Sequence, residues 1–279
     1  MNYLLFNPLA QNGKGNEIKE EAKKKLEKNF PSFLEINVLE FNKDSFIKGL
    51  TREDNIILIG GDGTLNHFAN EIYNLNLDNK MYLFKAGTGN DFIKDLNRSE
   101  ELIILNEYLK KLPKVCVNNK EVYFLNGIGF GIDGMVCEIA DDLKAKGKKD
   151  INYTRISIKL LLTKYRCPNA KCIIDGKEYN FKKVWLASTM NGQYYGGGMK
   201  VAPSQDRLSD NLSFVVMHGS GRLRTLMIFP SIFKGEHLNK KKYCSLIKAK
   251  HVQVIFDRPT ALQIDGETIK SVTSYEVFK

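Results

Sequence analysis

The chain has 279 residues, enough for one large domain or two medium ones, and a composition of 43% hydrophobic, 27% charged and 10% aromatic residues excludes a disordered or fibrous protein. No stretch approaches the roughly eighteen consecutive apolar residues of a membrane span, and five scattered cysteines without a CxxC pair give neither a disulfide framework nor a zinc site. A formal net charge of +10 favours anionic partners, whether nucleotides, nucleic acid or the inner leaflet of a membrane.

The N-terminal "NYLLFNP" reads as an apolar strand ending at Pro8. No basic flank precedes it, so it is expected to be a strand and not a signal peptide, in a cytoplasmic protein. "NEIKEEAKKKLEKNF" carries helical spacing through Ile18, Ala22, Leu26 and Phe30, and "FLEINVLEF" reads as a second strand. "NIILIGG" is a strand of the fully buried kind; a helix follows from Thr64 to about Asn74, and "KMYLFKAG" is the next strand. Such alternation implies parallel strands with crossover helices, and a three-layer α/β domain whose ligands bind at the C-terminal ends of the strands.

After "LKKLPKVCV" the rhythm changes to short strands and hairpins, interrupted by helical stretches near Gly134–Lys146 and Tyr153–Tyr165. "CIIDGKEYNF" and "LQIDGETIK" both carry the Asp-Gly signature of a type I′ hairpin. The division is therefore expected as an α/β domain over residues 1–118 and a strand-rich domain over 119–279. The helical stretch "NYTRISIKLLLTKYR" is apolar on one side and basic on the other, which suits packing on the second domain's sheet or contact with a membrane. The basic clusters lack the aromatic interleaving of single-strand readers and the RNA-binding sheet motif, so no nucleic-acid partner is expected.

"GGDGTLN", Gly60–Asn66, lacks the lysine of a P-loop and the third glycine of a dinucleotide fingerprint. It is still a tight glycine turn between a buried strand and a helix, so that backbone N–H groups face whatever lies beyond. A plain strand-to-helix turn with Asp62 or Thr64 as helix cap explains it equally well. "GFGIDG", Gly129–Gly134, does satisfy G-x-G-x-x-G, but the hairpins downstream of it exclude a dinucleotide fold.

Taken with the rest of the chain, the glycine turn resembles that of the diacylglycerol-kinase-like lipid kinase family, which includes bacterial soluble diacylglycerol kinases and sphingosine kinases. The matching pieces run in family order: "NPLAQNGKG", "GGDGTLN", "GTGNDF", "GGGMKVAP", "LSDNL" and a late "DGE", Asp265–Glu267. They span almost the whole chain. The resemblance implies an α/β fold of two domains, an N-terminal three-layer α/β nucleotide-binding domain and a C-terminal β-sandwich-like domain, with the active site in the cleft between them. It implies ATP and Mg2+ as cofactors and transfer of the γ-phosphate to a hydroxyl of a membrane lipid, diacylglycerol giving phosphatidic acid.

By resemblance, Asn7, Pro8, Leu9, Ala10, Gln11, Lys14, Gly60, Gly61, Asp62, Gly63, Thr64, Leu65, Asn66, Thr88 and Lys94 line the ATP. Asp62 and Asp91 face the triphosphate across magnesium, which turns a repulsive carboxylate into a ligand, and Glu267 is the general base. A helix cap is the alternative for Asp91, and an ordinary turn residue for the Asp-Gly pairs. Arg207, Asp210 and Leu212 are implied as a structural magnesium site through one side chain and two carbonyls. The chain departs from the family at Ala10-Gln11, where Ser-Gly is usual, at Lys94, where arginine is common, and at Asn211, where glycine is usual.

Lys200 is expected either near the phosphates or as an exposed structural lysine, and His67, His218, His237 and His251 as structural or exposed. An anionic membrane surface and a homodimer through edge strands are the expected partners, at the inner face of the membrane. A GGDGT kinase acting on NAD, a sphingoid acceptor and a non-catalytic nucleotide- or lipid-binding regulator are the alternatives.

Overall fold

The computed structural model describes residues 1–86, 90–148, 151–163 and 165–279. The chain divides into two compact units, Met1–Lys111 and Leu112–Lys279. No helix among the described residues is long and apolar enough to cross a membrane.

The first unit runs β1 (Asn2–Phe6), α1 (Ala10–Gly13), α2 (Gly15–Leu26), β2 (Leu34–Asn37), α3 (Lys43–Gly49), β3 (Asn55–Gly60), α4 (Asp62–Ile72), β4 (Lys80–Lys85), α5 (Asp91–Leu96), β5 (Leu102–Ile104) and α6 (Asn106–Leu109). Its sheet has the order β2-β1-β3-β4-β5; the first four strands are parallel and β5 returns antiparallel on the edge. Because strand side chains alternate, Leu4, Phe6, Ile57, Ile59 and Phe84 face α2, whose Ala22 and Leu26 close that core. Tyr3 has the opposite parity and meets Phe46 of α3 edge-on at 5.1 Å. Helices on both faces make the three layers the sequence implies.

The strand expected over "FLEINVLEF" stops at Asn37, and Val38–Glu40 form a 3-10 turn instead. The Asn37 carboxamide accepts the Leu39 N–H at 3.0 Å, giving the backbone a local partner in place of a ladder bond. The α4 helix begins at Asp62 and ends at Ile72, where a 3-10 turn over Tyr73–Leu75 takes over.

The second unit begins with β6 (Lys114–Val117), β7 (Lys120–Tyr123) and β8 (Gly127–Gly131), then α7 (Ile132–Ala145) and α8 (Tyr153–Leu162). It continues with β9 (Ala170–Ile174), β10 (Lys177–Phe181), β11 (Leu186–Met190), β12 (Tyr194–Tyr195), β13 (Met199–Lys200) and β14 (Leu212–Met217). α9 (Arg222–Ile228), β15 (Cys244–Ala249), β16 (His251–Ile264) and β17 (Glu267–Phe278) complete it. β6 pairs with the end of β17, so this strand belongs to the second unit although it precedes residue 118.

Every pairing in this unit is antiparallel, in the order β15-β14-β11-β8-β16-β17-β6-β7 with β9 and β10 joined to β16. β16 pairs with β9 through Val252–Phe256 and with β8 through Leu262–Ile264, and its register against β17 shifts between Ile255 and Thr260. That irregularity, at the exposed Pro259, turns one long ribbon across two layers. The core between the layers includes Phe130 stacked on Phe256 at 3.9 Å, while a second core lies under α7, α8 and α9 around Trp185.

The glycines of "GFGIDG" answer to packing. A Cβ on Gly134 would lie 2.0 Å from the Ala261 carbonyl oxygen and one on Gly129 1.5 Å from an Asp133 carboxylate oxygen, and Gly131 has φ 121°. The pattern is a close strand-to-helix approach inside an antiparallel sheet, as the hairpins downstream imply.

Candidate functional site

In the first unit the chain goes from β1 to β2 on one side and returns to β3 on the other, so the C-terminal ends of β1 and β3 flank a topological switch point, where open α/β sheets bind ligands. Both glycine-rich segments leave the sheet there. After β1, the Asn7 side chain accepts the Leu9 N–H at 2.9 Å, and its carbonyl accepts the Ala10 N–H at 3.0 Å. The Pro8 carbonyl accepts the Gly15 N–H at 3.2 Å, which draws α2 back over the strand end. A Cβ on Gly15 would sit 1.9 Å from the Asn7 carbonyl oxygen, so only glycine closes this loop. Leu9 and Lys14 are exposed, and Gln11 holds φ 49° at the position where the family resemblance places glycine.

After β3, a Cβ on Gly60 would lie 2.6 Å from that of Thr64, so the turn is tight enough to demand glycine. Gly61 is the extended N-cap of α4, and Gly63 is exposed. The N–H groups of Asp62, Gly63 and Thr64 belong to the first turn and have no acceptor within the helix. Leu65 is fully buried and donates its N–H to the Gly61 carbonyl at 3.0 Å, and Asn66 is buried, its backbone carbonyl and side-chain oxygen accepting from the Asn70 amide at 3.0 and 3.1 Å, so both residues serve the fold.

Asp62 is a cap, but of a different helix. Its carboxylate accepts the Asp91 N–H at 2.7 Å and the Phe92 N–H at 3.2 Å, satisfying the first turn of α5 from outside. The N-cap residue of α5, Asn90, makes no side-chain capping bond, and both polar atoms of its side chain are buried without a hydrogen-bond partner among the described residues. Buried amides normally pair, so Asn90 is a further polar group at this end of the sheet, one that no motif in the sequence singles out. Asp91 itself is buried at the first helical position, and Lys94 is exposed one turn on. The structure thus brings Asp62, Asn90 and Asp91 together; Thr88 lies outside the described residues.

In the second unit Asp265 and Gly266 have φ 47° and 94°, the left-handed pair of a type I′ turn, and Asp175 and Gly176 repeat it at 46° and 79°. Each aspartate also pins a neighbouring strand. Asp175 accepts the Lys250 and His251 N–H groups, whereas Asp265 accepts those of Leu125, Asn126 and Gly127 at 2.5, 2.9 and 2.9 Å. Burial pushes the Asp265 carboxyl above its ordinary value, against the pull of those three amides and Arg207. Glu267, the first residue of β17, lies opposite Ile264 and is exposed; Lys177 holds the same place opposite Ile174 in the twin hairpin. The exposed carboxylate therefore rides on a turn anchored by a half-buried one.

The residues implied for a structural metal are otherwise engaged. The Arg207 guanidinium is buried and donates to the Leu125 carbonyl at 2.7 Å and the Asn126 side chain at 2.9 Å. Its carbonyl accepts from the Lys279 ammonium at 3.3 Å, and that ammonium also donates to the Asn191 side chain at 2.5 Å. Asp210 is exposed, Leu212 is buried as the first residue of β14, and the described residues contain no group of three His, Cys, Asp or Glu fit to hold a metal. With an ammonium already on one of the carbonyls, this set does not fit the structural magnesium that the resemblance implies. Asp62 and Asp91 have the donor chemistry for a magnesium carried by a nucleotide, since such an ion takes one or two carboxylates and otherwise phosphates and water.

Among the histidines, His251 has a partner the sequence did not reveal, Glu276 at 2.7 Å. His237 is buried against the Val201 carbonyl, and burial lowers it to about 4. Lys200 lies 5.5 Å over the Tyr194 ring. The five cysteines are all free.

Residues 2–114 match the family model of the diacylglycerol kinase catalytic domain, and residues 126–276 match the YegS C-terminal NAD kinase beta sandwich-like domain. The chain therefore belongs to the diacylglycerol-kinase-like family of lipid kinases. The diacylglycerol kinase of Mycobacterium tuberculosis (strain ATCC 25618 / H37Rv) is 24% identical over 210 residues, covering 72% of this chain and 66% of that protein. YtlR of Bacillus subtilis (strain 168), provisionally named a lipid kinase, is 23% identical over 228 residues, 76% of this chain and 73% of its own length. The crystal structure of a diacylglycerol kinase from Bacillus anthracis str. Sterne shares the fold with a TM-score of 0.66 at 22% identity, over 100% of this chain and 94% of that one.

Proposed function

We propose that the protein is an ATP-dependent lipid kinase that transfers the γ-phosphate to a hydroxyl of a membrane lipid, with diacylglycerol as acceptor and phosphatidic acid as product. The observation that carries this reading is the tie from Asp62 to the amides of Asp91 and Phe92, which joins the GGDGT turn and the GTGND segment at the switch point of a family-matched nucleotide domain.

The N–H groups of the first turn of α4 and the side chain of Lys14 hold the phosphates, with Lys94 adding positive charge. Magnesium, when bound, would neutralise charge on the triphosphate, and Asp62 and Asp91 would be the carboxylates that hold it. Glu267 takes the proton of the acceptor hydroxyl as that oxygen forms its bond to the γ-phosphorus. The bond from phosphorus to the β,γ-bridging oxygen breaks, and ADP leaves with the electron pair. The protein works at the inner face of the membrane, where its net charge of +10 suits an anionic surface.

Thin-layer analysis of labelled phosphate transferred from ATP to a mixed lipid extract, with a sphingoid base and NAD as parallel acceptors, tests the reading. Label in phosphatidic acid is the expected outcome. Label confined to NAD, or none on any lipid, would sink it.

A further inference from the structure

α8 and α9 pack against each other on the outside of the second unit, and both show apolar side chains to solvent. Ile158 and Leu162 are one turn apart on α8 and are 38% and 48% exposed; Leu223 and Met227 are one turn apart on α9 and are 75% and 72% exposed. Arg222 ties the two edges together, donating to the Leu162 carbonyl at 3.2 Å and to that of Tyr165 at 3.3 Å. The inner faces of the same helices are already spent on the core around Trp185, through Leu160, Leu161 and Ile228. Leu223 and Met227 are thus left mostly uncovered by the fold, and Ile158 and Leu162 in part.

Charge selects what covers them. Residues 151–167 and 218–235 contain no Asp or Glu, while Arg155, Lys159, Arg222 and Arg224 are all exposed beside the apolar side chains. We infer that this α8–α9 face is a membrane-docking surface, in which Leu162, Leu223 and Met227 enter the acyl boundary of a bilayer and the flanking cations meet anionic headgroups. Apolar residues at the tip of a basic face meet both regions of an anionic bilayer at once. A second copy of the chain would bring like charge against like charge across an isologous contact. The inference rests on the lipid-kinase reading only in that a membrane acceptor gives docking a purpose; the surface itself is measured without turnover.

The test is co-sedimentation of the full chain with vesicles containing phosphatidylglycerol and with vesicles of phosphatidylcholine alone. The wild type should bind the former, less at high salt, and hardly the latter. The double variant L223S/M227S, which replaces no buried residue, should lose roughly tenfold or more in partitioning with an unchanged melting temperature, and R155E/K159E should lose the salt-sensitive part. Both variants should phosphorylate a short-chain, dispersed diacylglycerol as the wild type does. Binding that is indifferent to both variants overturns the inference, as does a wild-type dimer that L223S/M227S converts to monomer. If the variants lose vesicle binding while no dispersed acceptor is phosphorylated, the docking surface stands and the kinase reading falls.

Discussion

The Asp62 carboxylate lies 2.7 Å from the Asp91 amide nitrogen and 3.2 Å from that of Phe92, so the acid inside the glycine turn holds the start of α5 in place. Asp62→Asn keeps one acceptor and turns an N–H donor toward the other amide. We expect a loss of about 1–2 kcal/mol in stability by chemical denaturation, the size of a lost helix cap. Turnover should fall at least about a hundredfold, because the metal-facing charge is lost as well. A variant as stable as the wild type would show that the capping bonds are dispensable; full activity would remove Asp62 from the nucleotide site.

The twin hairpins separate turn chemistry from catalysis. Glu267→Gln leaves the Asp265–Gly266 turn and its three anchoring amides untouched, so its melting temperature should match the wild type while kcat drops by about 10²–10⁴. Asp265→Ala should instead unfold earlier, since three buried N–H groups lose their acceptor at about 1–3 kcal/mol or more. Lys177→Gln, at the matching place in the other hairpin, should change neither quantity. Retained transfer in Glu267→Gln would take the base assignment away from that residue.

Local rules carried much of the fold into view. The buried run "NIILIGG", the helix after it and both Asp-Gly hairpins were legible because each rests on side-chain period or on a turn's demand for positive φ. Long-range partners were not. Nothing near residue 62 announces that its carboxylate caps a helix at residue 91, and nothing near Asp265 points to the amides of Leu125–Gly127. His251 finds Glu276 only because β16 and β17 pair in that register. For the candidate site, the sequence supplied the residue types through family motifs, whereas the supports of those residues became visible only once the chain was folded.

Two buried groups give opposite pH dependences. Burial pushes Asp133 up to about 6 from an ordinary 3.8, although Tyr195 donates to it at 2.7 Å, and its second oxygen has no partner among the described residues. The native state thus holds a proton that the unfolded chain has lost, and the stability this gives disappears as pH rises from 3.8 to about 6. His237, lowered from 6.5 to about 4, contributes stability above pH 6.5 that is lost as pH falls toward 4. Asp133→Asn should therefore be more stable than the wild type above pH 6, by about 1–3 kcal/mol, with the gap closing near pH 4. Urea midpoints from pH 4 to 8 test this, and a gap that does not change with pH would contradict it.

Gln11 occupies the left-handed region at φ 49° in the loop after β1, a conformation that costs a residue with a side chain about 1–2 kcal/mol. Gln11→Gly relieves that strain and gives back part of the gain through a more flexible unfolded chain. A net rise in stability of up to about 1 kcal/mol is expected, with KM for ATP equal to or below the wild-type value. Weaker ATP binding in this variant would mean that the Gln11 side chain itself contacts the nucleotide.

Lys279 changes what metal removal should do to the second domain. Its ammonium reaches the Asn191 side chain at 2.5 Å and, at 3.3 Å, the Arg207 carbonyl, one of the groups through which the family resemblance implies a structural magnesium. A dication on that same carbonyl would stand a few ångströms from the ammonium, and two unit charges 4 Å apart near a protein surface already repel by about 4 kcal/mol. The wild-type melting temperature should accordingly be the same in millimolar magnesium and in excess chelator. Lys279→Met should unfold earlier, by about 1–2 kcal/mol for the two acceptors left behind, and should regain stability with added magnesium if Asp210 and the Arg207 carbonyl then take the ion. A wild-type protein that melts lower on chelation alone would return the site to the metal.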